Sequence, residues 1–209
     1  LQPDRFYYEF AHQLIERERA AGPLFAFVYV TANHFPWTWP FRPDLTPEWS
    51  GFGNSGEVDE YIRRQTMSRD DYQDFLARLK RDFPDEAFLI VRFGDHQPAI
   101  SSKILEPGLD PKTRVARIMR YDARYFATYY AIDALNFTPA DLSSALDTLD
   151  APYLPLVVQE AAGVPLDPTF AEQKKILTRC HGLFFRCHGG AEASRFNRQL
   201  IEAGLIKGL

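Results

Sequence analysis

Two side chains able to hold a metal or an anion stand side by side at the end of an apolar run. In "FLIVRFGDHQPAI" (88–100), six strand-forming residues lead straight into Gly94, Asp95 and His96. Gly94 permits a tight turn with close backbone approach. Gln97-Pro98 then prevents an immediate helix and leaves the Asp95 side chain free to point inward. A second polar cluster, Thr31, Asn33 and His34, follows the apolar run "LFAFVYV" (24–30). In open parallel sheets, ligands bind outside the carboxyl ends of the strands. Neighbouring parallel strands would therefore bring His34 near Asp95 and His96 and make a metal or anion site. The same residues also read as the cap of a following helix beside a surface histidine, and spacing alone leaves both readings open.

A third cluster, "RCHGLFFRCHGG" (179–190), offers Cys180, His181, Cys187 and His188. Zinc sites usually space their ligand pairs by two to four residues. Adjacent Cys-His pairs would struggle to direct both side chains to one ion, so this spacing disfavours zinc. A Cys180–Cys187 disulfide suits an exported chain and free thiols a reducing compartment.

The elements that must position these residues follow from periodicity. "RFYYEFAHQLIERERAAG" has Phe6, Phe10 and Leu14 at helical spacing and stops at Gly22-Pro23. The run 24–30 predicts a strand covered on both faces. A long loop follows, "TANHFPWTWPFRPDLTPEWSGFGNSG". Its Trp37, Trp39, Phe41, Trp49 and Phe52 would wall the site and cover the sheet edge, or face a bilayer surface. Ser68 with Asp71 reads as a capping box opening a helix whose Tyr72, Phe75, Leu76 and Leu79 share a face. Strand, helix, strand 88–93 in that order predicts a right-handed crossover and parallel pairing. "RYFATYYAID" (124–133) is a third strand candidate, and from about 139 to 209 the chain reads as a helical tail. The expected fold class is α/β, a mainly parallel sheet flanked by helices, with 1–209 as one unit.

Composition excludes some functions. With 24 Lys and Arg against 28 Asp and Glu, the net charge of -4 argues against a nucleic-acid partner. No apolar run approaches the ~20 residues of a membrane span. The chain begins at Leu1 with no signal peptide, as a processed or cloned piece would.

"LIVRFGDHQP" resembles the Gly-Asp-His segment of the alkaline phosphatase superfamily, in its sulfatase-like branch of lipoteichoic acid synthases and phosphoethanolamine transferases. "GPLFAFVYVTANHFPW" is similar to that family's strand followed by Asn-His-x-Pro. "YIRRQTMSRDDYQDFLARLK" is similar to its intervening helix, and "LDAPYLPLVVQEAAGVPLD" to a late helix. The four segments occur in the family's order and cover most of residues 5–165.

The resemblance implies a Thr or Ser nucleophile bound to a divalent metal and attacking phosphorus or sulfur. Asp95 and His96 would be metal ligands, and His34 would bind the transferred group or, in two-metal relatives, a second ion. Nothing before residue 24 resembles the family's nucleophile segment. The chain is thus expected to be the C-terminal part of a longer enzyme, with an incomplete metal site and no catalytic nucleophile of its own. The sulfatase signature Cys-x-Pro-x-Arg is not found, and arylsulfatases commonly carry Asp-Asn where this chain has Asp95-His96. An imidazole at His96 suits Mn or Zn better than Ca. No further His occurs between His96 and His181, which fits a single-metal site. The implied substrate is an anionic ester, lipid-linked in membrane-tethered relatives, and the implied location is periplasmic or extracytoplasmic with a membrane anchor in the full-length protein. The implied partners are the missing N-terminal part and further copies joined at an exposed sheet edge. The competing class is a non-catalytic relative that binds an anionic glycan or lipid head group.

Overall fold

The computed structural model describes residues 1–207 and resolves two compact units. The first comprises Leu1–Asp85 and Arg92–Ala131; the second comprises Glu86–Val91 and the chain from Ile132 onward. The chain passes between the units three times, once just ahead of the strand Phe88–Phe93 and twice within strands, so no linker composition marks the boundary.

In the first unit, helix α1 (Asp4–Glu18) packs on the long helix α2 (Gly56–Asp82). The expected helix is present, but its inward face is not the Phe6–Phe10 stripe. Those two rings are 43% and 57% exposed and meet each other edge-on, while Ala11 and His12 are buried. Charges decide the rotation. The Arg5 backbone N–H and Nε donate to the buried Asp71 carboxylate at 2.9 and 2.6 Å, and His12 Nε2 lies 3.0 Å from Asp82. Tyr8 stacks on Phe75 with ring centroids 4.7 Å apart. Helix α2 starts well before Ser68. Its N-cap is Ser55, whose Oγ accepts the Val58 N–H, with Glu57 and Asp59 in the first turn. Ser68 therefore lies inside the helix, and its hydroxyl serves a loop instead of a cap.

Residues 24–30 are not a buried strand. All are exposed, with Phe25 at 85% and Phe27 at 68%, and among the described residues none of their backbone groups is paired. β-propensity is realised only where a neighbouring strand accepts the ladder. Here the segment approaches strand β1 (Phe88–Phe93) only through side chains, with the Phe27 and Phe93 rings 6.4 Å apart.

Nor is the sheet parallel. Among the described residues it consists of β1 and β2 (Tyr130–Leu135). Gly94 N–H donates to Tyr129 O at 3.3 Å at one end, and Asn136 Nδ2 reaches Glu86 O at the other, a register that requires antiparallel strands. The expected third strand is thus displaced toward the C-terminus, because Ala123–Tyr125 forms a 3-10 turn ahead of it. Between the strands lie α3 (Ser101–Leu105) and α4 (Pro111–Met119), the latter capped by Asp110.

The second unit carries α5 (Leu154–Ala161), α6 (Pro168–Cys180) and α7 (Ala191–Glu202), within the helical tail expected from about residue 139. Asp167 caps α6 by accepting the Thr169 and Phe170 N–H groups, with Pro168 at the first helical position. The helix ends on His181 in the left-handed region, followed by Gly182. A Cβ at Gly182 would sit 2.3 Å from Thr148 O, so this turn needs glycine for space as well as for its φ of +84°. Cys180 and Cys187 form a disulfide that joins the end of α6 to the turn before α7. Both sulfurs are thereby withdrawn from any zinc site.

Candidate functional site

The loop bearing His34 hangs from the two N-terminal helices by charged and polar side chains. Asp4 Oδ1 accepts the Ala32 N–H at 3.2 Å, and Tyr7 and Thr31 share a 2.7 Å hydroxyl contact. Burial raises the Asp4 carboxyl above its ordinary range, and hydrogen bonds from Ser68 and Ala32 oppose the rise. Asn33 Nδ2 donates to Ser68 Oγ at 2.8 Å.

Beyond Asn33 the support comes from α2. Arg64, fully buried, donates from Nη1 to His34 O at 2.9 Å and from Nη2 to Pro36 O and Trp39 O at 3.0 and 3.2 Å. Its Nε is held by Glu60 Oε1 at 2.7 Å, and its guanidinium lies 5.2 Å from both the Trp39 and the Phe41 rings. Arg63 donates to Glu60 and to the carbonyls of Thr46 and Phe41, while Glu60 Oε1 also accepts the Phe41 N–H. Burial is the largest influence on the Glu60 carboxyl and pushes it upward. The bonds from Arg63, Arg64 and Phe41 together outweigh burial, so Glu60 is held below the usual carboxylate range.

At the loop tip His34 is exposed and stacks on Phe35 at 4.3 Å. Its Nδ1 lies 2.9 Å from Phe35 O. A carbonyl can only accept, so Nδ1 carries a proton, and in the neutral tautomer Nε2 keeps its lone pair for a ligand. The aromatic residues divide: Trp37 and Phe41 are buried, whereas Trp39, Trp49 and Phe52 are exposed.

Gly94 fixes the turn that carries the acid–imidazole pair. A Cβ there would meet Thr128 Cβ at 3.0 Å, and Thr128 Oγ1 donates to Gly94 O at 2.8 Å. Gln97 Nε2 donates to Ala127 O on the same side. The close approach expected of Gly94 is therefore an approach to Thr128.

Asp95 caps no helix. Its Oδ1 accepts the His96 N–H at 3.0 Å, and α3 begins only at Ser101. His96 Nδ1 lies 3.0 Å from Gln97 O, which again places the proton on Nδ1. His96 Nε2 then faces Asp95 Oδ2 at 3.7 Å, with both side chains well exposed. In the neutral tautomer that sets one acceptor against another, an arrangement a cation or a proton completes. A carboxylate and a neutral imidazole are donors of the kinds that divalent cations accept. Among the described residues no group of three or more His, Cys, Asp or Glu side chains could hold a metal, so His34 does not join the pair in such a group. The sequence-based expectation that parallel strands align His34 with Asp95 has no basis in this fold, since β1 pairs with an antiparallel strand and 24–30 with none.

Glu60, Arg63 and Arg64 were not legible in advance. Their i, i+3, i+4 spacing is that of an ordinary exposed ion-pair ladder. The available signal lay in the loop itself, whose many prolines and aromatics leave carbonyls in need of donors.

No protein-family model matches the chain, and no curated protein matches it. The fold is that of part of a solved enzyme, the Streptococcus pyogenes phosphoglycerol transferase GacH in complex with sn-glycerol-1-phosphate. The TM-score is 0.63 at 18% identity, over 96% of this chain and 47% of GacH. The chain thus spans about half the length of that enzyme. This likeness and the sequence resemblance to the sulfatase-like branch point the same way. Among the described residues no helix is long and apolar enough to cross a membrane.

Proposed function

We propose that this chain is the C-terminal part of a metal-dependent phosphotransferase domain that acts on an anionic phosphate ester. One observation carries the reading: an Asp–His pair with open Oδ2 and Nε2 atoms on a chain that shares its fold with a phosphoglycerol transferase bound to a glycerol phosphate. In it, Asp95 and His96 hold a divalent metal, Mn or Zn in preference to Ca because one donor is imidazole. The metal supplies Lewis-acid stabilisation of charge on the transferred group. His34 engages that group, as donor when protonated, from a loop braced by α2. The Thr or Ser nucleophile lies outside these residues, and phosphoryl transfer is favoured over sulfuryl transfer by the imidazole of His96, which stands where arylsulfatases commonly carry Asn. The full-length enzyme is extracytoplasmic and membrane-anchored, with a substrate that is lipid-linked, and the exposed segment 24–30 pairs with its remaining part or with another copy.

A second reading, a non-catalytic binder of anionic glycans or lipid head groups, is favoured by the count of two donors alone. Metal content and phosphodiester turnover of the full-length protein separate the two. Asp95→Asn and His96→Gln should each lower turnover by at least about 100-fold with loss of bound metal. His34→Ala should lower turnover while leaving metal content nearly unchanged. Retention of both metal and activity in Asp95→Asn would sink the proposal.

A further inference from the structure

Within the first unit, the main-chain hydrogen bonds that tie the stretch from His34 to Trp39 to α2 trace back to one buried guanidinium. Arg64 reaches three carbonyls, those of His34, Pro36 and Trp39, while Glu60 orients it and two rings flank it. A fully buried arginine is costly to desolvate, and an apolar residue of similar volume often serves stability as well or better. What the arginine adds is direction. A planar fork bonded to three separate carbonyls fixes the path of the backbone between them, which apolar contacts cannot do. The first of those carbonyls belongs to the residue whose imidazole the proposed reaction uses.

We infer that Arg64 is a positioning residue for His34: through the carbonyls of residues 34, 36 and 39 it holds the imidazole in the orientation that meets the transferred phosphoryl group. The inference rests on the role proposed above for His34. Arg63 has a different task, since its carbonyl partners, at Phe41 and Thr46, lie farther along the loop. Lysine at 64 would keep the charge but could not span three acceptors from a single ammonium.

The test has a conformational and a functional arm. In Arg64→Lys, amide exchange at His34 and Phe41 should accelerate by roughly 10–100-fold, while amides inside α1 and α2 keep their protection. In the full-length enzyme, turnover should fall about tenfold or more in Arg64→Lys, and the double variant with His34→Ala should be no slower than His34→Ala alone. A merely structural role would multiply the two losses. Should Arg64→Lys fold poorly, Arg64→Ala gives a second reading: added guanidinium should restore turnover in the presence of His34 but not in its absence, and methylammonium should not. Unchanged loop exchange overturns the positioning role. Multiplicative losses overturn its link to His34. If His34→Ala alone leaves turnover intact, the proposed role of His34 fails, and the exchange data then judge the bracing of the loop separately.

Discussion

Both units have apolar clusters, but the first buries far more charge beside them. The second is built around Tyr153, Leu156, Ile176, Leu177, Phe184 and Phe196, with bridged cysteines in the same cluster and Phe184 meeting Tyr153 and Phe196 edge-on. The first buries Asp4, Glu60, Arg63, Arg64 and Asp71, yet leaves the apolar run 24–30 in solvent. Apolar burial is non-directional and stabilises in proportion to area. Buried ion networks cost desolvation and return orientation. The first unit therefore adds to its apolar clusters a charged network that orients a loop. The residues proposed to meet substrate and metal, His34, Asp95 and His96, all belong to the first.

Reducing the disulfide should break this contrast most visibly. Closure between Cys180 and Cys187, separated by seven positions, contributes about 2–3 kcal/mol in the chain-entropy estimate. The expected result is lower protection of amides in α6 and α7, with α1 and α2 unchanged, and an intact mass showing two newly alkylated thiols only after reduction. Equal loss of protection in both units would show that they do not differ as described.

The sequence showed those parts whose determinants are local. Strand 88–93 and the helical character of the tail carry their own signals, an apolar run in the first and, in the second, features such as Asp167-Pro168 ahead of α6. The turn at Gly94 was legible for the same reason, because Gly94 and Gln97-Pro98 are sequence neighbours, but the expectation that Asp95 points inward was not met: its side chain is exposed. The remainder depended on partners distant in sequence. For 24–30, β-prone composition could not reveal that no strand accepts its ladder within these residues. In α1, helical spacing showed an amphipathic helix but not that Asp71 and Asp82 would choose its inward face over the Phe6–Phe10 stripe. Arg64 was hidden because its three acceptors are main-chain atoms, which residue types do not announce.

A smaller effect sharpens the contrast from the side of the first unit. The exposed 24–30 segment is an apolar backbone without a ladder, and such segments pair with one another. Sedimentation over a range of concentrations should show association of the wild-type chain. Phe27→Lys should weaken it, because a charge on the pairing face opposes stacking of a second copy. Since Phe27 is 68% exposed, its replacement should change unfolding free energy by no more than about 0.5 kcal/mol. A wild-type chain that stays monomeric at every concentration would remove self-pairing from consideration and leave the rest of the enzyme as the partner for this segment.

The smallest predicted effect concerns an ion cluster of the second unit. Glu192, in the first turn of α7, accepts hydrogen bonds from Arg195 and from Arg179 of α6, both at 2.9 Å, and His188 Nδ1 lies 3.6 Å from its other oxygen. The Arg195 and Arg179 bonds pull the Glu192 carboxyl down from 4.5 to about 2. A carboxyl whose folded pKa lies below its unfolded value stabilises the fold fully above the unfolded value, and that contribution fades as pH falls through the folded one. The window therefore runs from about 4.5 down to about 2. Glu192→Gln should melt below the wild type near neutral pH, and the gap should close across that window. The gap itself should be modest and shrink with salt, because this cluster lies near the surface and solvent screens it. A gap that persisted unchanged at the acid end would mean that Glu192 contributes through packing between α6 and α7 and not through its charge, which would extend the apolar logic of the second unit to its surface.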